Sequence, residues 1–271
     1  MYRLAKELLK RHLPGPVAWC RRLRGRDRPL RQWPRLTSRP PAAPPSVLDC
    51  CIAYNEHGGY CVPLASRHRL SVQTVLDGRV WEPDTLAFLA SLPDDLVHAG
   101  AYFGDFLPAL ARSRAAGDRV WAFEPNPENY RCASVTAEIN GLANVELRNA
   151  GLGERRSTPL MRLWDADGRA LGGMSHVLAA DAEAPPADVA RVAVVTVDEA
   201  FPSDRKLSAL QLDVEGFEVP ALMGALATIR RCRPVIVVES VPDEAWLTEH
   251  LFPQGYRAER KIHDNTVFVP R

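Results

Sequence analysis

The chain has 271 residues, of which 46% are hydrophobic and 25% are charged, and its formal net charge is +1. This composition is typical of a globular protein, and the length allows one large α/β domain with an extension or two small domains. No apolar run approaches the roughly 18 residues that a membrane-spanning helix needs. The N-terminus lacks the apolar stretch of a signal peptide, so we expect a cytoplasmic protein.

The net charge conceals a basic tail on an acidic body. Residues 1–39 contain twelve Lys and Arg against Glu7 and Asp27, and the rest of the chain contains 22 basic and 31 acidic residues. Such a tail can be solvated and disordered, or it can make a peripheral contact with an anionic membrane; we do not expect a nucleic-acid partner. The prolines between Pro40 and Pro45 are typical of a linker, so the tail and linker are predicted over 1–45.

Residues 46–92 are predicted to form a cap segment that precedes the main domain. Extended pieces are expected to pair within 60–76, and a helix is expected over 82–92, where Pro83 and Asp84 are typical of a helix start. Over residues 93–271, short apolar strands alternate with helices of about 10–14 residues. This is the pattern of βαβ units and hence of a parallel sheet.

The elements of this main domain can be predicted individually. The predicted core strands cover 96–99, 120–123, 145–148, 207–212 and 234–238, and the predicted helices cover 105–115, 127–140, 219–230 and 246–251. Residues 151–197 interrupt the alternation and predict an excursion that forms a lid or a substrate wall, with a strand over 192–197 at its end. Closing strands over 256–262 and 266–269 predict a hairpin that makes the sheet mixed.

The six cysteines predict reduced thiols rather than a metal centre. Cys50, Cys51 and Cys61 lie near His57, but their spacing fits no zinc module and the chain has no Cys-x-x-Cys pair. Reduced thiols are the rule in cytosolic proteins. No metal site is predicted.

Two motifs predict a nucleotide-like ligand. Gly100 and Gly104 lie where the first core strand turns into a helix, so the backbone there can approach a ligand closely. Glu124, followed by Pro125 at the end of the second strand, is placed to accept hydrogen bonds from the two ribose hydroxyls of an adenosine. Alternatively, Glu124 interacts only with the dipole of the helix that follows.

The same glycine turn argues against a dinucleotide. The dinucleotide fingerprint has three glycines, whereas this turn has Tyr102 and Phe103 where a pyrophosphate needs close approach to the backbone. A ligand without phosphate, such as S-adenosylmethionine, tolerates these side chains better. A nicotinamide-dependent oxidoreductase is therefore kept only as an alternative.

Three carboxylates are predicted at the carboxyl ends of core strands, where open α/β sheets bind ligands. Asp213 and Glu215 follow the fourth strand, and Glu239 follows the fifth. Neighbouring carboxylates can bind a cation, accept a substrate proton or raise one another's pKa. Alternatively, one of them caps the next helix.

These motifs, in this order over about residues 80–270, resemble the FkbM-type methyltransferase family. The most specific matches are Ala-Phe-Glu-Pro-Asn-Pro-Glu-Asn-Tyr at 122–130 and Leu-Asp-Val-Glu-Gly at 212–216. The resemblance implies the class I methyltransferase fold, an α/β Rossmann-like fold with a seven-stranded, mostly parallel sheet that contains one antiparallel strand. It also implies S-adenosylmethionine as cofactor and O-methylation of a hydroxyl on a sugar, glycan or natural product.

The resemblance further implies a set of cofactor-binding residues, in which the glycine turn lines the methionine part, Glu124 holds the ribose and 149–151 lies near the adenine. The predicted set is His98, Gly100, Ala101, Tyr102, Gly104, Glu124, Pro125, Asn126, Asn149, Ala150, Gly151 and Asp213. The family usually has Asp and Asn in place of His98 and Tyr102. A neutral imidazole has one acceptor and no fixed charge, so His98 replaces that Asp only in part unless Asp105 compensates. Alternatively, His98 is a buried, satisfied core histidine.

The predicted reaction is methyl transfer to an alcohol oxygen, with a carboxylate or an imidazole accepting the proton. Asp213 is the first candidate for this base, followed by Glu215, Glu239 and His176. The acceptor is expected to be a small molecule or a glycan, and neither its identity nor the oligomeric state follows from the sequence. A non-catalytic scaffold that no longer binds cofactor is the other alternative.

Overall fold

The computed structural model describes residues 47–179 and 185–271; the predicted tail and linker over 1–45 lie outside the described residues. In chain order the strands are β1 (Cys50–Asn55), β2 (Gly58–Pro63), β3 (Asp95–Ala99), β4 (Val120–Phe123), β5 (Val145–Arg148), β6 (Gly151–Leu152), β7 (Leu160–Arg162), β8 (His176–Val177), β9 (Val189–Arg191), β10 (Val194–Val195), β11 (Leu207–Leu212), β12 (Val235–Val238), β13 (Tyr256–Ile262) and β14 (Asn265–Pro270). The α-helices are α1 (Leu70–Leu76), α2 (Pro83–Ser91), α3 (Leu107–Arg112), α4 (Pro127–Ile139), α5 (Val197–Ala200), α6 (Glu218–Met223), α7 (Leu226–Cys232) and α8 (Glu244–His250).

Seven strands form the central sheet, in the order β13-β14-β12-β11-β3-β4-β5. β14 alone runs in the direction opposite to the other six strands, so the predicted mixed sheet with one reversed strand is confirmed. β3, the first strand of this sheet in chain order, lies in its middle. β4 and β5 extend the sheet to one edge, and β11 then pairs with the other side of β3. This reversal creates a switch point between β3 and β11, where open α/β sheets bind ligands.

The sheet is apolar on both faces because helices cover both. One cluster of buried side chains packs β3, β11 and β12 against α6, α7 and α8. A second cluster packs the opposite face against α2 and α3. Two polar side chains, His98 and Gln211, interrupt this second face near the carboxyl ends of their strands, and both are almost fully buried.

The helix that follows β4 starts at a well-defined cap. The Asn126 side chain accepts hydrogen bonds from the backbone N–H groups of Glu128 (3.0 Å) and Asn129 (3.4 Å), and Pro127 occupies the first helical position. Asn126 therefore fixes the start of α4 and, with it, the turn that carries Glu124.

Three predicted elements differ in the structure. Residues 60–76 do not pair with each other: β2 pairs with β1, which precedes it, and 70–76 is helical. The helix predicted over 219–230 is broken at Gly224, where a Cβ would lie 2.0 Å from the carbonyl oxygen of Gly153. The strand predicted over 192–197 shortens to β10, because Thr196 caps the N-terminus of α5.

The excursion over 151–197 has strands of its own outside the main sheet. β7 pairs with both β8 and β9, and β6 pairs with β10. A 3₁₀ turn at Gly172–Met174 lies before β8. Across the described part of the chain, none of the helices has the length and hydropathy needed to cross a membrane.

The first residue of β3 predicts a stability defect. The Asp95 carboxylate is buried and accepts hydrogen bonds from Trp121 Nε1 (2.8 Å), the backbone N–H of Arg119 (2.8 Å) and the Arg205 guanidinium. Burial alone would raise the pKa of Asp95, but these donors, Arg205 foremost, outweigh burial and lower it. The ionised carboxylate therefore stabilises the fold above the ordinary pKa of an aspartate, and this contribution is lost as the pH falls through the lowered value.

We expect Asp95→Asn to reduce the free energy of unfolding by about 3 kcal/mol at neutral pH, because it leaves the buried donors without their charged partner. Urea denaturation measures this loss. The control is Asp204→Asn, an exposed carboxylate next to Arg205. Equal midpoints for the two variants would contradict the role given to Asp95.

Candidate active site

Two adjoining clefts open at the carboxyl ends of β3, β4, β11 and β12, at the switch point. The first cleft has a cavity volume of about 40 Å³ and the second about 260 Å³. They share five residues: Gly100, Glu124, Gly173, Asp213 and Glu215. The switch point thus holds two pockets that meet at the predicted glycine turn.

Gly100 brings the ends of β3 and β11 into close contact. Its φ is +85°, and a Cβ at this position would lie 1.9 Å from the carbonyl oxygen of Asp213. The backbone N–H groups of Gly100 and Ala101 both donate to the carbonyl of Phe123, at 3.0 and 3.1 Å. Only glycine fits here, because the turn needs both the left-handed backbone and the missing side chain.

The Thr136 hydroxyl links the glycine turn to the β1–β2 hairpin. Thr136 in α4 is fully buried; its Oγ1 donates to the carbonyl of Phe103 (2.8 Å) and accepts from the backbone N–H of Cys61 in β2 (2.9 Å). Phe103 lines neither cleft, contrary to the prediction that it fills the space beside the ligand; it packs in the cluster beneath the β1–β2 hairpin.

Glu124 is directed inward and joins two turns. One carboxylate oxygen accepts from the backbone N–H of Tyr102 (2.8 Å) and the other from that of Asn126 (2.8 Å). Burial raises the pKa of Glu124 to about 8, even though these hydrogen bonds favour the ionised form. Asn129 Nδ2 also donates to the oxygen that accepts from Asn126, at 3.5 Å. A carboxylate has about four acceptor positions, so the oxygen that accepts from Tyr102 retains capacity for a ligand hydroxyl in the clefts that Glu124 lines.

His98 is buried, as one interpretation of the sequence predicted, but it is only half satisfied. Its Nδ1 pairs with Gln211 Oε1 on the neighbouring strand, and its ring stacks on Phe106 at 5.6 Å between centroids. Burial lowers the pKa of His98 to about 4, so the ring is neutral. Nε2 has no hydrogen-bond partner among the described residues, although His98 lines the second cleft. With Nδ1 donating to Gln211, Nε2 is a free acceptor.

The three predicted carboxylates come together. The backbone N–H of Asp213 donates to Ala99 and that of Glu239 donates to Leu212, so the strand pairing continues past β11 and brings both side chains to one edge. One carboxylate oxygen each from Asp213, Glu215 and Glu239 lie within 4.8 Å of one another. We call these three residues the carboxylate cluster.

Burial and nearby carboxylates alter the titration of Asp213 and Glu215. The pKa of Asp213 is raised well above its ordinary value, first by burial and then by the charges of Glu239 and Glu215. Burial, with Glu239 and Glu218 nearby, raises the pKa of Glu215 to about 7. A carboxyl group with the pKa of Glu215 exchanges protons near neutral pH, which is the property that a general base needs.

Two residues that make the second cleft acidic were not among the predicted site residues. Glu82 from the cap segment and Asp264 from the closing hairpin line it beside the carboxylate cluster. Asp105, proposed from the sequence only as a substitute for the Asp replaced by His98, also lines it, and burial raises its pKa to about 7. Glu82 and Asp264 lie far from the glycine turn in sequence, and no local motif marks them.

Five of the predicted cofactor residues line neither cleft: Ala101, Gly104, Asn126, Asn149 and Ala150. Asn149 instead donates through Nδ2 to the carbonyls of Glu124 (2.8 Å) and Pro125 (3.2 Å), which fixes that turn. His176, the last candidate base, lies in β8 and also lines neither cleft. The predicted residues that do line a cleft are His98, Gly100, Tyr102, Glu124, Pro125, Gly151, Asp213, Glu215 and Glu239.

The excursion forms one wall of the first cleft, and its role as a lid or a substrate wall stays a prediction. Met161, Gly172, Gly173 and Ser175 all line this cleft. Asn126 Nδ2 donates to Ser175 Oγ at 3.1 Å, so the helix cap after β4 also holds this wall in place.

The cysteines near His57 lie in the β1–β2 hairpin. Over the described ranges, the carboxylate cluster is the one group of three or more potential metal ligands with such close spacing, and it includes no cysteine.

The sheet and the ligand clefts at its switch point define the class I methyltransferase fold. The family model described as the Methyltransferase FkbM domain matches residues 98–258, and the chain therefore belongs to the FkbM methyltransferase family. This assignment sets aside the nicotinamide-dependent oxidoreductase. No curated protein matches the sequence significantly.

Solved structures similar to this chain include the FkbM methyltransferase of Methylobacillus flagellatus, with 19% identity, a TM-score of 0.41, and coverage of 65% of this chain and 43% of the other. A methyltransferase from Geobacter sulfurreducens has 15% identity, a TM-score of 0.40, and coverage of 76% and 87%. The tRNA (uracil-54, C5)-methyltransferase of Pyrococcus abyssi, in complex with S-adenosyl-L-homocysteine, has 13% identity, a TM-score of 0.42, and coverage of 82% and 43%. The chain spans less than half the length of the Methylobacillus protein.

S-adenosylmethionine is the cofactor of this methyltransferase, and the residues present fit it. Glu124 Oε2 offers an unused acceptor position for a ribose hydroxyl, and Gly100 leaves room for a ligand that approaches the backbone.

The contact between Gly100 and Asp213 predicts a specific defect. In Gly100→Ala the new Cβ collides with the Asp213 carbonyl, so we expect loss of S-adenosylmethionine binding and a destabilised fold, measured by calorimetry and urea denaturation. Gly168→Ala is the matched control, because its φ is +70° but open space surrounds the added Cβ. The control should lose only about 1 kcal/mol through backbone strain. If both variants bind cofactor normally, the contact has no role in the site.

The raised pKa of Glu124 predicts that cofactor affinity depends on pH. If the ionised carboxylate binds the ribose, affinity should rise about tenfold between pH 7 and pH 9, as the ionised fraction of a group with a pKa of about 8 increases. Isothermal titration calorimetry across this range measures the effect. In Glu124→Gln, binding should be weaker and this pH dependence should disappear. An unchanged pH profile in the variant would assign the titration to another group.

Proposed function

We propose that the protein transfers a methyl group from S-adenosylmethionine to a hydroxyl oxygen of a sugar, a glycan or another polyhydroxylated natural product. The observation that carries this proposal is the carboxylate cluster, which lies where the two clefts meet. An alcohol must lose a proton when its oxygen is methylated, and the cluster supplies acceptors for that proton at the junction.

Each cleft receives one reactant in this proposal. The first cleft, with Glu124, Pro125 and Gly151 along its side, holds the adenosine part of the cofactor. Gly100 lies at the junction and holds the methionine part. The second cleft then takes the acceptor. When bound, the cofactor supplies an already activated methyl group, so the protein mainly aligns the reactants and removes a proton.

Asp213 is the first candidate for the proton acceptor. It lines both clefts, and burial together with the charges of Glu239 and Glu215 raises its pKa, which favours uptake of a proton. Glu239 and Glu215 lie close enough to share or relay the proton. The role is thus assigned to the carboxylate cluster, with Asp213 nearest to the cofactor side.

The lining of the second cleft supports a polar acceptor. Glu82, Asp105 and Asp264 line it together with the carboxylate cluster, and they offer hydrogen-bond acceptors to several hydroxyls of one molecule. An apolar acceptor would leave these carboxyl groups without partners, at a cost in binding free energy. A polyol gains from the same groups.

The direct experiment is incubation of the full chain with S-adenosylmethionine and panels of monosaccharides, glycans and hydroxylated natural products. Mass spectrometry should find an acceptor that gains one methyl group together with S-adenosylhomocysteine. Methylation only of nitrogen or carbon acceptors would overturn the proposal for oxygen. Failure of the correctly folded protein to bind cofactor would favour the non-catalytic scaffold.

We expect Asp213→Asn to lower kcat by about a hundredfold or more, because an amide cannot accept the hydroxyl proton. Calorimetry should show that S-adenosylmethionine still binds. The control is Glu249→Gln in α8, an exposed carboxylate that lines neither cleft, which should retain normal turnover. Normal turnover in Asp213→Asn would remove this residue from the role of base.

Several expectations stay as predictions. These are the cytoplasmic location, membrane contact through the basic tail, and the division into a tail over 1–45, a cap segment over 46–92 and a methyltransferase domain over 93–271. A vesicle-binding assay with and without residues 1–45 would measure the membrane contact.

A further inference from the structure

The carboxylate cluster has the arrangement of a cation site as well as that of a base. Asp213, Glu215 and Glu239 converge from the ends of two adjacent strands, and one oxygen from each lies within 4.8 Å of the others. Two oxygens on one Mg²⁺ at about 2.1 Å can lie at most about 4.2 Å apart, and on one Ca²⁺ at about 2.4 Å at most about 4.8 Å. The spacing therefore lies within or near the range that one hard divalent cation bridges.

The negative charge of the carboxylate cluster has no matching ion pair. Among the ion pairs within residues 47–179 and 185–271, none joins a lysine or arginine to any of the three carboxylates. Arg69 lines the same cleft, and its charge lowers the pKa of Glu215, but less than burial and Glu239 raise it. The Arg69 guanidinium donates to the carbonyl of Ala170 and to Met174 Sδ. Glu82, Asp105 and Asp264 add further negative charge to this cleft. Such a concentration of carboxylates favours either bound protons or a bound cation.

A second, independent observation points to a ligand in the same place. His98 is 3% exposed, and its Nε2 has no partner among the residues that the structure describes. His98 pairs with Gln211 in β11, two residues before Asp213, and strand alternation directs the side chains of Gln211 and Asp213 to the same face. The unused acceptor of His98 thus lies on the floor of the cleft that holds the cluster. A buried acceptor normally has a donor, and a cation-bound water would supply one.

We propose that Asp213, Glu215 and Glu239 bind one hard divalent cation, of the class of Mg²⁺, Mn²⁺ or Ca²⁺, which holds the hydroxyl groups of the acceptor. The purely oxygen-based ligand set favours these ions over zinc or copper. This inference deepens the proposed function and rests on it, and it departs from the prediction that the protein has no metal site.

In this proposal the cation both positions the acceptor hydroxyl and stabilises the negative charge that develops on its oxygen. Three protein carboxylates leave coordination positions for water or for neighbouring hydroxyls of a polyol. A coordinated hydroxyl loses its proton more readily. In the transfer its oxygen forms a bond to the methyl carbon, the carbon–sulfur bond breaks with its electron pair moving to sulfur, and the hydroxyl proton passes to the second carboxylate oxygen of Asp213, which the cation does not bind.

The test is binding of Mn²⁺ to the full chain after treatment with a chelator, measured by electron paramagnetic resonance with S-adenosylhomocysteine present. We expect one Mn²⁺ per chain, and weakening of about tenfold to a hundredfold in Asp213→Asn and in Glu239→Gln. Glu249→Gln, outside both clefts, should bind as the unaltered protein does. Absence of Mn²⁺ binding, or equal binding by all variants, overturns the proposal.

Thermal unfolding distinguishes a loss of metal binding from a variant that simply folds poorly. Each variant is first compared without metal, and Mn²⁺ should then raise the Tm of the unaltered protein and of Glu249→Gln but not that of the cluster variants. Methyl transfer is measured separately, on protein from which the chelator has removed the metal. If Mn²⁺ binds at the cluster but no hydroxyl is ever methylated, the proposed function fails while the cation site stands. If hydroxyls are methylated at full rate without metal, the cation has no place in the reaction.

Discussion

The carboxylate of Glu124 is the interaction on which the site depends. It joins the glycine turn after β3 to the turn after β4, through the backbone N–H groups of Tyr102 and Asn126. Asn126 in turn caps α4 and contacts Ser175 in the excursion. One buried side chain thus determines the relative position of two strand ends, a helix and a cleft wall. Its cost is desolvation of an acidic group, which the raised pKa of Glu124 records.

The clefts concentrate acidic groups where a packed core would exclude them. Asp213 and Glu215 lie among carboxylates whose repulsion opposes folding, and no arginine neutralises them through an ion pair in the described part of the chain. Elsewhere the protein handles a buried carboxylate differently: Asp95 has Arg205, Trp121 and a backbone N–H as partners. The contrast separates a structural carboxylate, satisfied by the protein, from functional ones that need a ligand or a proton.

The sequence was sufficient for features that depend on local patterning. The alternation of apolar strands and helices predicted the sheet, and the segments around Gly100, Glu124 and Asp213 predicted which strand ends meet. It was insufficient where remote residues meet in space: Glu82 reaches the second cleft from the cap segment, and the role of Asn149 in fixing the turn after Glu124 depends on a hydrogen bond across the sheet edge. The residues over 219–230 favour one continuous helix, so the break at Gly224 was not predicted from the sequence. Gly224 packs closely against the Gly153 carbonyl, a residue remote in sequence.

The hydroxyl of Thr136 has a consequence for where this enzyme can be cut or recombined. It links the backbone of Cys61 in the hairpin to that of Phe103 in the glycine turn. A shortened chain that starts at residue 93 would lose Cys61 and leave this hydroxyl, and the aromatic rings above it, facing solvent. The hairpin is therefore an integral part of the catalytic body, and chimeras should exchange it together with α4.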